Sequence, residues 1–169
     1  MLKCGFDLDD VLAEFMGVYL ERFGNPKNDR EITKNVFNVL RKDKNFWENL
    51  PVINRPDFIP ELYCTKRVNS KVYTKNWLKK NGFPMKPVYQ MYFQHGNKAD
   101  LIKGRVDVFI DDSISNCIKM NLAGVPCLLL DKEYNKHWDF VGRIYDLQYS
   151  TIEKAYNELI KVTNFKDLI

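Results

Sequence analysis

Short apolar runs alternating with helical patterns predict an α/β fold, a three-layer, doubly wound parallel sheet with helices on both faces. Three observations carry this expectation. Apolar runs such as Val125–Leu130, and Val106–Ile110 apart from Asp107, are near-continuous rather than alternating, as in strands buried on both faces. Segments at helical spacing separate them, and several runs end on polar residues capable of chemistry. The 169 residues suit one core with a small insertion; 45% are apolar and 28% charged, a composition that folds.

In chain order, Leu2 to Phe6 reads as a strand ending in carboxylates. Val11, Phe15, Tyr19 and Phe23 then recur at helical spacing until Gly24-Asn25-Pro26. From Lys27 to Arg55 the chain is polar and Asn-rich with isolated apolar clusters, which predicts a small helical insertion over 24–55, with residues 1–23 and 56–169 forming the core. Pro56 opens an expected helix carrying Ile59, Leu62 and Tyr63, leading into a strand over Ser70–Thr74. Trp77–Asn81 reads as helix stopped by Gly82, and Val88–Phe93 as strand, followed by Gln94-His95-Gly96-Asn97 and Lys98; His95 reads as a loop residue. Val106–Ile110 runs into Asp111-Asp112. Ser113 caps a helix to Ala123, Gly124 closes it, and Val125–Leu130 follows. Ser150 and Glu153 form a capping box for a last helix bearing Ile152, Tyr156, Leu159 and Ile160.

Ligands of open parallel sheets bind beyond the carboxyl ends of the strands. Here those ends carry Asp7 and Asp9, Thr74, Lys98 one loop later, and Asp111 and Asp112. The set suits phosphoryl transfer, which needs a nucleophile, a cation on the phosphate oxygens, donors and an acid. Asp7 would be the nucleophile and Asp9 the acid and base. Asp111 and Asp112, with the Asp7 carboxylate and the Asp9 backbone carbonyl, would form an all-oxygen Mg²⁺ site. Thr74 and Lys98 would bind phosphate, and Lys75 would add affinity or face solvent.

Phe6-Asp7-Leu8-Asp9-Asp10-Val11-Leu12, Val72-Tyr73-Thr74, Lys98 and Phe109-Ile110-Asp111-Asp112 together resemble the four motifs of the haloacid dehalogenase superfamily of phosphohydrolases. Asp7 to Phe15, the run Phe46-Trp47-Glu48-Asn49-Leu50-Pro51, and the later Tyr134-Asn135 and Arg143-Ile144-Tyr145-Asp146 look most like its 5'(3')-deoxyribonucleotidases. The resemblance implies a superfamily-type Rossmann-like core with a small helical cap, a Mg²⁺-dependent phosphomonoesterase working through an aspartyl-phosphate, and a nucleoside pocket lined by Phe15, Phe46 and Trp47. Asp10 departs from the usual Gly, Lys75 from the usual Ser, and Ser113 from the Arg of some relatives. Lys98 lies 13 positions before Asp111, so Lys103 is the reserve for the lysine role.

Rival readings are a phosphatase for nucleic-acid 3' ends, phosphoproteins or small metabolites, and a receiver-like signalling domain phosphorylated at Asp57. The formal charge of +4, from 26 basic and 22 acidic residues, suits an anionic small molecule but gives no dedicated nucleic-acid face. No run is long and apolar enough to span a membrane, and the start shows no signal-peptide pattern, which predicts a cytoplasmic protein; a homodimer is compatible. Cys4, Cys64, Cys117 and Cys127 have no CxxC spacing and read as buried, reduced thiols.

Overall fold

A computed structural model describes residues 1–92 and 96–162. Six strands form one parallel sheet: β1 (Cys4–Phe6), β2 (Leu62–Thr65), β3 (Val88–Gln90), β4 (Val108–Asp111), β5 (Cys127–Leu130) and β6 (Arg143–Ile144). Their order is β3-β2-β1-β4-β5-β6. Every residue of β1, β2, β4 and β5 is buried, so both faces of the sheet centre are covered, as the continuous apolar runs required. The strand order reverses between β1 and β4, where Phe6 pairs with Ile110. A crevice opens at such a reversal, outside the carboxyl ends of the two strands. Asp7 and Asp111 stand there.

Among the described residues seven α-helices lie between or after the strands: α1 (Phe15–Phe23), α2 (Asp29–Asn38), α3 (Lys44–Glu48), α4 (Lys71–Lys80), α5 (Ala99–Ile102), α6 (Ile114–Leu122) and α7 (Tyr149–Leu159). The expected insertion contains α2, a 3₁₀ turn at Leu40–Lys42 and α3. Asn28 caps α2 through Glu31 N, and Asp43 caps α3 through Phe46 N. The insertion is rooted beside β1: Glu14 N donates to Pro51 O, Ile53 N to Leu12 O, and Ala13 bridges Val52. Trp77 of α4 ties it down by donating from Nε1 to Leu50 O at 2.7 Å.

Three expectations are corrected. The segment expected as a strand over Ser70–Thr74 is the start of α4, and the strand is Leu62–Thr65, where a helix was expected. Val72-Tyr73-Thr74 is strand-like by residue type, but Thr74, Trp77 and Leu78 form one buried helical stripe. Leu62-Tyr63-Cys64-Thr65, in contrast, is a continuous run buried on both faces. Secondly, α1 begins at Phe15, after a loop in which Leu12 N and Ala13 N both donate to Leu8 O. Thirdly, β3 ends at Gln90, short of the expected Phe93; Phe93 and His95 lie outside the described residues. The four cysteines are free and buried, and among the described residues no helix is long and apolar enough to cross a membrane.

The last helix starts two residues before the expected box. Gln148 is its N-cap residue and makes no side-chain cap; Asp57 Oδ1 instead accepts from Tyr149 N at 2.8 Å, and Ser150 is exposed inside the first turn. Asp57→Ala should therefore lower stability by about 1 kcal/mol, the usual value of a cap, while Ser150→Ala costs no more than a few tenths. Urea denaturation of the two variants checks this, and equal losses would contradict the assignment.

Candidate active site

Asp7 follows β1 directly, held by its own N–H on Ile110 O at 2.9 Å and by Leu8 N on its Oδ1 at 2.7 Å. Asp111 closes β4 with no exposed surface; Ser113 N and Asn116 Nδ2 donate to it. Between these two carboxylates lies the Lys98 ammonium, 1% exposed and 2.7 Å from both Asp7 Oδ2 and Asp111 Oδ2. Burial alone would pull the lysine pKa down, but Asp111 and Asp7 outweigh it and hold it well above the usual range. Lys98 precedes α5, where Asn97 Oδ1 accepts from Ala99 N and fixes the turn. Lys103, the reserve candidate, is exposed and donates to Ala123 O, so of the two candidates it is Lys98 that stands at the strand ends.

One lysine faces three carboxylates. Oxygens of Asp7, Asp111 and Asp112 lie within 4.8 Å of one another, a donor set that could hold a hard divalent cation. Burial, opposed by Lys98 and assisted by Asp111 and Asp9, pushes Asp7 up to about 7. Burial and the neighbouring Asp111 and Asp7 push Asp112 well above the usual carboxylate range. Asp112 is half-buried, accepts from the Tyr134 hydroxyl and lines the cleft, whereas Asp111 sits behind it with both oxygens taking donors.

Asp9 has its own partner. Arg67 Nε lies 2.9 and 3.0 Å from its two oxygens and Nη2 2.6 Å from Oδ1, a forked pair. Arg67 is 2% exposed, its guanidinium 5.1 Å from the Trp47 ring centroid and 5.8 Å from that of Trp77. Asp10 adopts φ +58°, the left-handed region that Asp tolerates better than most residues. Its Oδ1 also accepts from Phe15 N and Met16 N, so Asp10 caps α1 across the loop. Ser113 caps α6 through Asn116 N.

A cleft of about 220 Å³ joins these groups, with Phe15, Ile32, Val36 and Trp47 on the insertion side and Thr65, Lys66 and Arg67 on the side of β2. Of the expected residues, Asp7, Asp9, Lys98, Asp112, Phe15 and Trp47 line it. Thr74 and Lys75 do not: both lie in α4, Thr74 buried and without a hydrogen-bond partner, Lys75 exposed. Thr65, at the true end of β2, occupies the strand-end position expected of Thr74, and its hydroxyl accepts from Arg67 N. Phe46 packs edge-on against Phe15 and Trp47 outside the cleft lining. Reading Leu62–Thr65 as helix hid Thr65, Lys66 and Arg67; the polar run directly after four buried residues is the signal that would have found them. Asn116, one helical turn beyond Asp112, also joins the lining.

The chain matches no protein-family model, and no curated protein matches it at a significant level.

Because Asp7 is raised to about 7 in the folded state against an ordinary value near 3.8, the native state binds more protons than the unfolded one between those values. Its contribution to stability is thus fully present below about pH 4 and lost as pH rises through about 7. Metal-free wild type should lose stability over that window relative to Asp7→Asn, by about 1 kcal/mol or more. Denaturation curves of both proteins in chelator across pH 4–8 check this; parallel curves would contradict it.

Proposed function

We propose that this chain is a Mg²⁺-dependent phosphomonoesterase that works through an aspartyl-phosphate on Asp7, with nucleotides as its substrates. The observation that carries the reading is the buried Lys98 ammonium shared by Asp7 and Asp111 at the sheet's switch point. A structural ion pair needs one carboxylate per lysine. The third carboxylate, Asp112, has no place in such a pair, and the three together offer the oxygen donors that a divalent cation takes. Asp7, Asp112 and the Asp9 backbone carbonyl would hold the ion, with Asp111 fixing Lys98 and bracing the site from behind. When bound, Mg²⁺ supplies charge neutralisation for the phosphate oxygens.

The protein groups do the rest. Lys98 and the Thr65 hydroxyl would bind the phosphate, taking the role expected of Thr74. An Asp7 oxygen attacks phosphorus; the P–O bond to the leaving group breaks, and Asp9 gives that oxygen its proton. Water then gives a proton to the Asp9 carboxylate, its oxygen bonds to phosphorus, and the Asp7–P bond breaks to release phosphate. Arg67 holds both Asp9 oxygens, and the first half requires an Asp9 oxygen to leave Arg67. Four buried thiols suit a reducing compartment, in keeping with the cytosol.

The receiver reading has nothing to support it: Asp57 precedes β2 and caps α7, away from the carboxyl ends of the strands.

A panel of an aryl phosphate, sugar phosphates and nucleoside monophosphates with and without Mg²⁺ tests the proposal. We expect release from the aryl phosphate and faster release from nucleotides, abolished by chelator and lowered at least about 10²-fold by a folded Asp7→Asn variant. Chelator-insensitive release, or unchanged turnover in that variant, would overturn it.

A further inference from the structure

Trp47, expected to meet the leaving group, has little face to offer. Its ring is 1% exposed, stacked on Phe15 at 5.8 Å and 13°, with the Arg67 guanidinium against it. The catalytic cleft, at about 220 Å³, is also smaller than the roughly 300–1,000 Å³ typical of ligand pockets. A larger leaving group must extend beyond it.

A second cavity, of about 480 Å³, is lined by Phe37 and Val68, the chain neighbours of Val36 and Arg67 in the cleft. Three aromatic residues, Phe37, Tyr73 and Tyr92, surround it, with Phe37 40% and Tyr92 49% exposed. Such open rings are platforms on which a base stacks. Asn69, 1% exposed, also lines it. Its Oδ1 is fixed by Gln90 Nε2 at 3.1 Å, while its Nδ2 has no partner among the described residues. A buried amide donor without an acceptor is unfavourable unless a ligand or water supplies one, and nucleobases offer carbonyl and ring-nitrogen acceptors. Arg41 and Lys42, on the 3₁₀ turn, complete the rim. Both are exposed, and neither side chain has an ion-pair partner among the described residues.

Those two cations decide the substrate class. A nucleoside monophosphate has one phosphate, and the reaction centre uses it. We infer that the cavity holds the nucleoside of a substrate with phosphates on both sides, one hydrolysed at Asp7 and the other, left intact, held by Arg41 and Lys42. Either a free nucleoside bisphosphate or the phosphorylated end of a short strand presents this chemistry. The inference rests on the phosphatase reading for which phosphate is removed, but the cavity's binding preference can be read without turnover.

The test compares kcat/KM for a nucleoside 5'-monophosphate, the 3',5'-bisphosphate, a 5'-phosphorylated dinucleotide and an aryl phosphate. The bisphosphate or the dinucleotide should exceed the monophosphate at least tenfold, and whichever is higher identifies the source. In the Arg41→Gln/Lys42→Gln double variant that ratio should fall toward one. Aryl phosphate turnover with equal rates for all three nucleotides would overturn the inference and leave the phosphatase reading standing. Should no ester be hydrolysed, the phosphatase reading fails instead, and calorimetric titration of Asp7→Asn decides the inference. Binding of the bisphosphate or dinucleotide tighter than the monophosphate, and weakened by the double variant, supports it; equal binding overturns it.

Discussion

An ammonium group buried between two carboxylates is the constraint around which this molecule is arranged. Lys98 is out of water, so its charge must be met in place, and Asp7 and Asp111 meet it from the ends of two neighbouring strands. Removing one member of a buried pair typically costs about 3–5 kcal/mol, so the loop before α5 is fixed by charge as well as by packing. The same contact sets the site's polarity. Lys98 meets two of three clustered carboxylates, Asp7 and Asp111, where the sheet order reverses, and this cluster is the basis of the proposed cation site.

A second charge pair couples the insertion to that centre. Arg67 grips Asp9 while its guanidinium lies against Trp47 of α3 and Trp77 of α4. Trp77 in turn holds the insertion through Leu50 O. The candidate proton carrier, the insertion and the helix after β2 therefore form one connected contact set. A substrate that draws Arg67 away from Asp9 would be felt in all three. Trp47, expected to face an open pocket, instead lies buried against this guanidinium.

Much of this was legible in the sequence, and the exceptions share a cause. Asp7, Asp111 and the strands leading to them were readable because a strand buried on both faces is written as an unbroken apolar run. The helical insertion was readable from its polar composition. Thr74 misled because Val72-Tyr73-Thr74 has the local character of a strand, while the stripe through Trp77 and Leu78 makes it helical; propensity lost to tertiary burial. That one exchange of helix and strand concealed Thr65, Lys66 and Arg67. Asp10 was visible only as a departure, because its positive φ and its capping of α1 are set by a loop whose hydrogen bonds close over several residues. The cap of α7 could not be read locally, since Asp57 reaches Tyr149 across 92 residues.

The central claim is that Asp7 carries the phosphoryl group. Rapid quenching during turnover of a phosphomonoester with Mg²⁺, followed by borohydride reduction and peptide mass spectrometry, tests it directly, because an aspartyl-phosphate is reduced to homoserine. The account predicts homoserine at position 7 and at no other aspartate. Homoserine at Asp9, Asp57 or Asp112, or turnover with none formed, would contradict it.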